Sequence, residues 1–313
     1  RLHTLEGHTD AVRAVAVVAG PDGPLAVTTS EDRTAIVWNP ATGQHLHTLT
    51  GHTGAVTGMA VVAGPDGPLA VTTSSQYAVV WNLVTGRRLH TLTGHAGAVT
   101  GVAVVAGPDG PLAVTTSEDR TAIVWNPVRG RRLRTHKSDT GAVTGVAVVA
   151  GPDGPLAITT NWNAIVWNLV TGQHLHTLAG HTRRVTGIAV VAGPDGPLAV
   201  TTSGDRTAIV WNPATGQRLH TLKGHTDKVS AVTEAVVAGP DGPLVVTTSE
   251  DRTAIVWNPT TGRAVHRCHL PYKGGLAAAC GPGLLLTYGS EVAYFEWPRT
   301  APFRATSSMK PLK

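Results

Sequence analysis

Histidine, threonine and aspartate recur along this chain in a fixed order. His8, Thr28 and Asp32 make the first set; His95, Thr115 and Asp119, then His181, Thr201 and Asp205, then His225, Thr247 and Asp251 repeat it. A hydroxyl, an imidazole and a carboxylate are the groups of a nucleophile–base–orienter triad. Four near-identical sets describe architecture rather than one active site, so no catalytic residue is expected and the chain is not read as an enzyme. The pairs His45/His47 and His174/His176 offer imidazole nitrogens to a metal. Their i,i+2 spacing puts each pair on one face of one strand, which supplies too few ligands, and a solvated sheet edge is the better reading. Six aspartates, from Asp22 to Asp241, sit in copies of the loop Ala-Gly-Pro-Asp-Gly-Pro. They lack the additional carboxylates that calcium requires. Neither a metal nor a cofactor is expected. Cys268 and Cys280 are too few for a disulfide framework or a four-cysteine zinc site. They either pair or, in an intracellular chain, stay as buried thiols.

The elements that must position these groups follow from the period. Trp-Asn stands at 38, 81, 125, 167, 211 and 257, and a seventh Trp at 297 follows in phase. Gly-His recurs at 7, 51, 94, 180 and 224, and the Pro-Asp-Gly-Pro loop recurs six times. One unit reads as four short strands, Ala11–Val18, Leu25–Ser30, Thr34–Trp38 and Gln44–Leu49. The Pro21–Pro24 turn separates the first two, since proline presets φ and glycine takes positive φ. One such meander cannot bury both of its faces, so repeats must stack. Trp supplies 8 of the aromatic residues against 4 Tyr and 2 Phe, so small aliphatic side chains must fill the core. A hydrophobic content of 42% argues against wholesale disorder. There is no apolar run long enough to span a bilayer, and no signal peptide.

Gly-His, an Asp at the second hairpin and Trp six residues later, at a period near 43 residues, resemble the WD-repeat β-propeller family. One letter departs throughout: Asn39 and its equivalents follow Trp where the family usually has Asp. The near-identity of the repeats resembles bacterial WD-repeat proteins. The resemblance implies an all-β, seven-bladed propeller of four-stranded antiparallel sheets over residues 1–297. The strand 1–5 would close the ring by completing blade seven, and a basic tail, 298–313, would follow. It also implies a hydrogen-bond chain in each blade, of loop His, strand Thr, turn Asp and third-strand Trp, adding Trp38, Trp125, Trp211 and Trp257 to the four sets. Blade two keeps His52 and Trp81 but loses the Asp by a deletion at Ser74–Tyr77. Blade four has Asp139 in the His register and the short hairpin Asn161-Trp162-Asn163, and blade seven carries Glu291 for Asp. These three blades are expected to be softer.

In the family, the face carrying the Gly-His loops and second hairpins is a common docking surface. Most blades present Ala, Thr or Glu there. The unrepeated residues are Arg13, Arg183, Arg184, Lys228, Tyr272 and Lys273, read as a basic arc, with the aromatics Tyr77 and Trp162 opposite. Arginine and exposed aromatics dominate interface energetics. The expected function is therefore a non-catalytic scaffold for a protein or peptide partner, acidic in character. The alternatives are a lectin-like ligand-binding propeller and a regulatory module acting on an attached enzyme domain, the latter because the chain opens at Arg1 without an initiator Met. A second basic group, Arg129, Arg131, Arg132, Arg134 and Lys137, lacks interleaved aromatics and reads as an edge charged against aggregation. Nucleic acid and membrane are not expected as partners; a cytoplasmic monomer is.

Overall fold

A computed structural model describes residues 5–139, 141–239, 242–270, 277–280, 283–288 and 291–296, with strand placement alone for 233–239 and 277–296. Tyr272, Lys273, Trp297, the tail and all but Leu5 of the expected closing strand lie outside the described residues, as does the Glu291 side chain. The described residues form strands and turns, with no helix that is long and apolar enough to cross a membrane.

Each repeat makes one antiparallel sheet whose strands pair in chain order. The first sheet is Val12–Gly20, Gly23–Ser30, Ala35–Asn39 and Gln44–Leu49; the second is Gly58–Val62, Leu69–Ser74, Tyr77–Asn82 and Arg88–Thr93. The third is Val99–Gly107, Gly110–Ser117, Thr121–Asn126 and Arg131–Lys137. The fourth is Gly145–Val149, Leu156–Thr160, Ala164–Asn168 and His174–Leu178. The fifth is Val185–Gly193, Gly196–Ser203, Thr207–Trp211 and Arg218–Lys223; the sixth is Val229–Gly239, Gly242–Ser249, Thr253–Asn258 and Arg263–His269. These six have four strands each. A seventh has three, Ala277–Cys280, Gly283–Tyr288 and Glu291–Glu296. The chain divides into two compact units, one running to Thr159 with Trp167–Gln173, the other comprising Thr160–Val166 and the residues from His174 onward.

The first strands run longer than the sequence suggests. Gly20 pairs with Gly23, which reduces the expected four-residue turn to Pro21-Asp22. Gly23 sits at φ +118°, and a Cβ on Gly20 would lie 2.8 Å from the Gly23 carbonyl oxygen. Glycine alone fits this closure without strain.

The second and third strands are buried on both faces. In the first unit, Ala70, Val79 and Trp81 pack with Val27 and Val37 of the first sheet. Their alternates, Leu69, Val71, Ala78 and Val80, pack with Ala113, Ile123 and Trp125 of the third. The period of two is intact, but each face meets a neighbour, so the strands read as continuous apolar runs. In the second unit, Val200 and Val210 meet Val245, Ile255 and Trp257 in the same way. Interdigitated Ala, Val and Leu leave room for one large ring per sheet, which accounts for the scarcity of Phe and Tyr.

Polar ties join successive sheets inside each unit. Val56 N donates to Ser30 O (3.0 Å), Val99 N to Ser75 O (2.7 Å) and Val185 N to Asn161 O (3.1 Å). At the outer edge, His47 Nε2 donates to Val84 O, His90 to Val128 O, His176 to Ala214 O and His220 to Thr260 O, each at 2.9 Å. In the third sheet Arg134 takes this position, and its Nη2 donates to Val170 O at 2.7 Å. The reading of His47 and His176 as solvated edge is thereby corrected: each ring clasps the β-turn of the next sheet. Of their sequence partners, His45 lies 2.9 Å from Thr48 Oγ1 and against the Trp38 ring, and His174 lies 3.1 Å from Thr177 Oγ1.

Candidate functional site

The antiparallel meander carries the loop before the first strand and the second hairpin to the same end of each sheet. His8, Thr28, Asp32 and Trp38 meet there. His8 Nδ1 donates to Asp32 Oδ2 (2.8 Å), and the Thr28 hydroxyl lies 2.8 Å from His8 Nε2 while accepting from Trp38 Nε1 (2.8 Å). Because the carboxylate takes the Nδ1 proton, Nε2 is left as the acceptor and Thr28 donates to it. The chain of donation is therefore Trp to Thr to His to Asp.

The same bonds recur in three further sheets. His95, Thr115, Asp119 and Trp125 are linked at 2.8–3.1 Å. His181, Thr201, Asp205 and Trp211 are linked at 2.8–3.0 Å, and so are His225, Thr247, Asp251 and Trp257. Each Asp also accepts two backbone N–H groups, as Asp32 does from Thr9 and Thr34, and one further hydroxyl. Burial pushes these carboxyls up. Hydrogen bonds from Thr121, Ala96 and His95 outweigh it and bring Asp119 down to about 2; Asp251 is likewise at about 2, and Asp32 and Asp205 are lowered. A threonine whose proton is committed to imidazole, and whose oxygen accepts from indole, has no free nucleophilic lone pair facing solvent. The geometry locks a turn.

The second sheet breaks the pattern. His52 Nε2 meets Thr72 Oγ1 at 2.7 Å and Trp81 Nε1 donates to the same oxygen, but His52 Nδ1 has no partner among the described residues. Tyr77 fills the place of the missing Asp. Its ring stacks on His52 at 5.5 Å, and its hydroxyl accepts from Thr53 N at 2.8 Å, the backbone bond that Asp accepts elsewhere. Tyr77 is thus half-buried and engaged. In the fourth sheet Trp167 still donates to Thr159 (3.1 Å), but no loop His completes a chain.

Burial, with a contribution from the Arg88 charge, holds His52 down at about 4 against 6.5. The unfolded chain therefore binds this proton first, so stability falls as pH drops from about 6.5 toward 4. The loss from this one residue is up to about 3 kcal/mol. Replacing His52 with Gln should remove one proton's worth of slope from the melting-temperature profile in that window. Amide exchange should be faster in the second and fourth sheets than in the third and fifth. Uniform exchange across the sheets, or an unchanged pH slope, would contradict the assignment.

The unrepeated surface residues fall into different surroundings. Arg13, in the first unit, pairs with Glu31 across the sheet, and Lys228, in the second, pairs with Glu250 at 3.2 Å. Arg183 and Arg184, also in the second unit, are exposed, and among the described residues no carboxylate lies within ion-pair distance of either. Trp162 is 57% exposed. Sequence reasoning missed Arg33, Arg120, Arg206 and Arg252, which occupy the left-handed position of the same hairpins at φ 62–73° and add positive charge to this end of their sheets. The recurring Asp-Arg-Thr was their signal. The outer basic group is partly structural: Arg134 makes the clasp described above, and the Arg132 guanidinium lies near Gly94 of its own repeat.

Comparison with known families matches the WD domain, G-beta repeat, five times, over residues 1–39, 43–82, 86–126, 172–212 and 216–258. The segment between 126 and 172 is the fourth repeat, which lacks both Gly-His and the turn Asp. No curated protein matches the chain.

Proposed function

Because the chain belongs to the WD40 family, whose repeats generally mediate protein–protein interaction, we propose that it is a non-catalytic scaffold docking a protein or peptide partner. The docking end is the one that carries the Gly-His loops and second hairpins. In the family's propeller each sheet is one blade. The three-stranded sheet would then be the seventh, with the strand 1–5 supplying its missing member.

One observation carries the reading. Every His–Thr–Asp set is closed on itself by hydrogen bonds, whereas the exposed residues that break the repeat, Trp162, Arg183 and Arg184, are left for another molecule. The acidic character of the partner follows from those charges. The lectin-like alternative is less well supported. A cavity of about 290 Å³ between the Pro21–Leu25 turn and Leu83–Val84 offers Asp22, Asn39 and His47 beside apolar walls, with no Trp, Tyr or Phe ring on which a sugar could stack.

Affinity capture from cells of origin should retain one or a few proteins over a bead control, while a glycan array stays blank. Glycan binding without any captured protein would replace the scaffold reading with the lectin-like one.

A further inference from the structure

We infer that Trp162, Arg183 and Arg184 form the anchoring subsite of this docking end, and that it takes an acidic peptide segment carrying an apolar side chain beside its carboxylates. The inference rests on the scaffold reading and gives it a location and a ligand chemistry.

Three independent placements bring these residues together within the second unit. Asn161 O accepts Val185 N at 3.1 Å. Trp162 therefore follows one side of this bond directly, and Arg184 precedes the other. Next, Gly204 N donates to Arg184 O, so the two residues face each other across the sheet. Finally, a Cβ built on Gly204 would meet the Arg183 side chain at 3.6 Å and Lys228 Cγ at 4.0 Å, so both stems flank that glycine. The indole, two guanidiniums and an ammonium thus follow one another over three consecutive sheets.

The position of Gly204 sets this sheet apart. In the first, third and sixth sheets the equivalent residue is Glu31, Glu118 or Glu250, each bonded by its N–H to the carbonyl of the residue opposite. Where a basic residue stands near such a glutamate, the acid takes it: Glu31 pairs with Arg13 and Glu250 with Lys228. The fifth sheet has gained Arg183 and Arg184 and lost the acid. Nor can Asp205 replace it, because its oxygens are held by His181, Thr182 and Thr207. The result is two consecutive arginines without an acidic partner among the described residues, opposite a residue without a side chain, with an exposed indole on the hairpin of the preceding sheet. Guanidinium forks match carboxylates, and a large exposed ring supplies the apolar anchor typical of an interface hot spot. A basic or wholly apolar ligand would leave the arginines unpaired.

The repeat supplies its own test variant. Gly204→Glu restores the residue that three other sheets carry, so it should preserve the fold while giving Arg184 an internal partner. The probe is a fluorescein-labelled peptide of alternating Glu and Leu, with Ser–Leu and Lys–Leu peptides of equal length as controls. The Glu–Leu peptide should bind the full chain best. Gly204→Glu, Arg183→Glu/Arg184→Glu and Trp162→Ala should each weaken it at least about tenfold at an unchanged melting temperature. Equal binding of the Ser–Leu peptide, or an affinity for Glu–Leu that Gly204→Glu leaves unchanged, would overturn the subsite. The same variant in the affinity capture separates the two readings. Partners retained by Gly204→Glu as well as by the wild type would move the docking site elsewhere and leave the scaffold standing. A wild type that retains nothing would remove both.

Discussion

Thr115→Val should destabilise the third sheet by about 2–5 kcal/mol although valine nearly matches threonine in shape. The Thr115 side chain is buried, and its single hydroxyl serves two neighbours. It donates to His95 Nε2 at 2.8 Å and accepts from Trp125 Nε1 at 2.9 Å. The substitution leaves an indole donor and an imidazole acceptor buried without partners, each costing roughly 1–3 kcal/mol. Because the hydroxyl polarises both bonds, the loss should exceed that of one ordinary hydrogen bond. A control lies in the first sheet. Thr29 is fully buried and its hydroxyl has no partner among the described residues, so Thr29→Val should be neutral or stabilising. Urea denaturation followed by Trp fluorescence reads both. Equal losses at the two positions would mean that the hydroxyl chain contributes nothing beyond packing.

Gly130→Ala should be comparably damaging, at about 2–5 kcal/mol, and its cause can be dissected. Gly130 sits at φ +61°, and a Cβ there would fall 2.5 Å from His90 Cγ. The left-handed backbone costs an alanine about 1–2 kcal/mol, and the forced overlap adds roughly 1–3 kcal/mol. The imidazole cannot move aside without losing its bond to Val128 O at 2.9 Å. His90→Ala alone should cost only about 1 kcal/mol, the net worth of one hydrogen bond. The double variant should therefore be more stable than Gly130→Ala, because the second substitution removes the overlap and leaves the backbone strain and the one lost hydrogen bond. Simple additivity in thermal melts would show that ring and turn do not touch. Gly86, Gly216 and Gly262 stand against His47, His176 and His220 in the same way, so the result should transfer to those positions.

The strands were legible because the repeat exposes its own punctuation. Period, turn residues and the alternating apolar faces all point to four-stranded sheets, and the spacing of His, Thr, Asp and Trp is the spacing along which the hydrogen bonds run. The His47 clasp was not legible. Its partner is a backbone carbonyl about one repeat away, and a carbonyl carries no residue identity, so nothing in the sequence marks Val84 as an acceptor. The pairing of Arg13 with Glu31 was within reach: strand register puts Val12 opposite Ser30, which brings the two side chains to neighbouring places. Reading Arg13 by exposure alone passed over it. Tyr77 shows the limit of counting aromatics at a surface. A ring exposed in the linear pattern turns inward and stacks on His52 once the deletion removes the Asp, whereas Trp162, in a hairpin one residue shorter still, stays exposed.

Residues that repeat build the sheets, and three that break the repeat, Trp162, Arg183 and Arg184, make up the proposed docking subsite. The most direct test is one paired measurement on Thr115→Val and Gly204→Glu: the melting temperature, and the affinity for the Glu–Leu peptide well below both melting points. The account predicts that Thr115→Val lowers the melting temperature by several degrees and leaves the affinity unchanged, while Gly204→Glu leaves the melting temperature unchanged and weakens binding at least about tenfold. The reverse pattern, or both properties moving together in either variant, would contradict it.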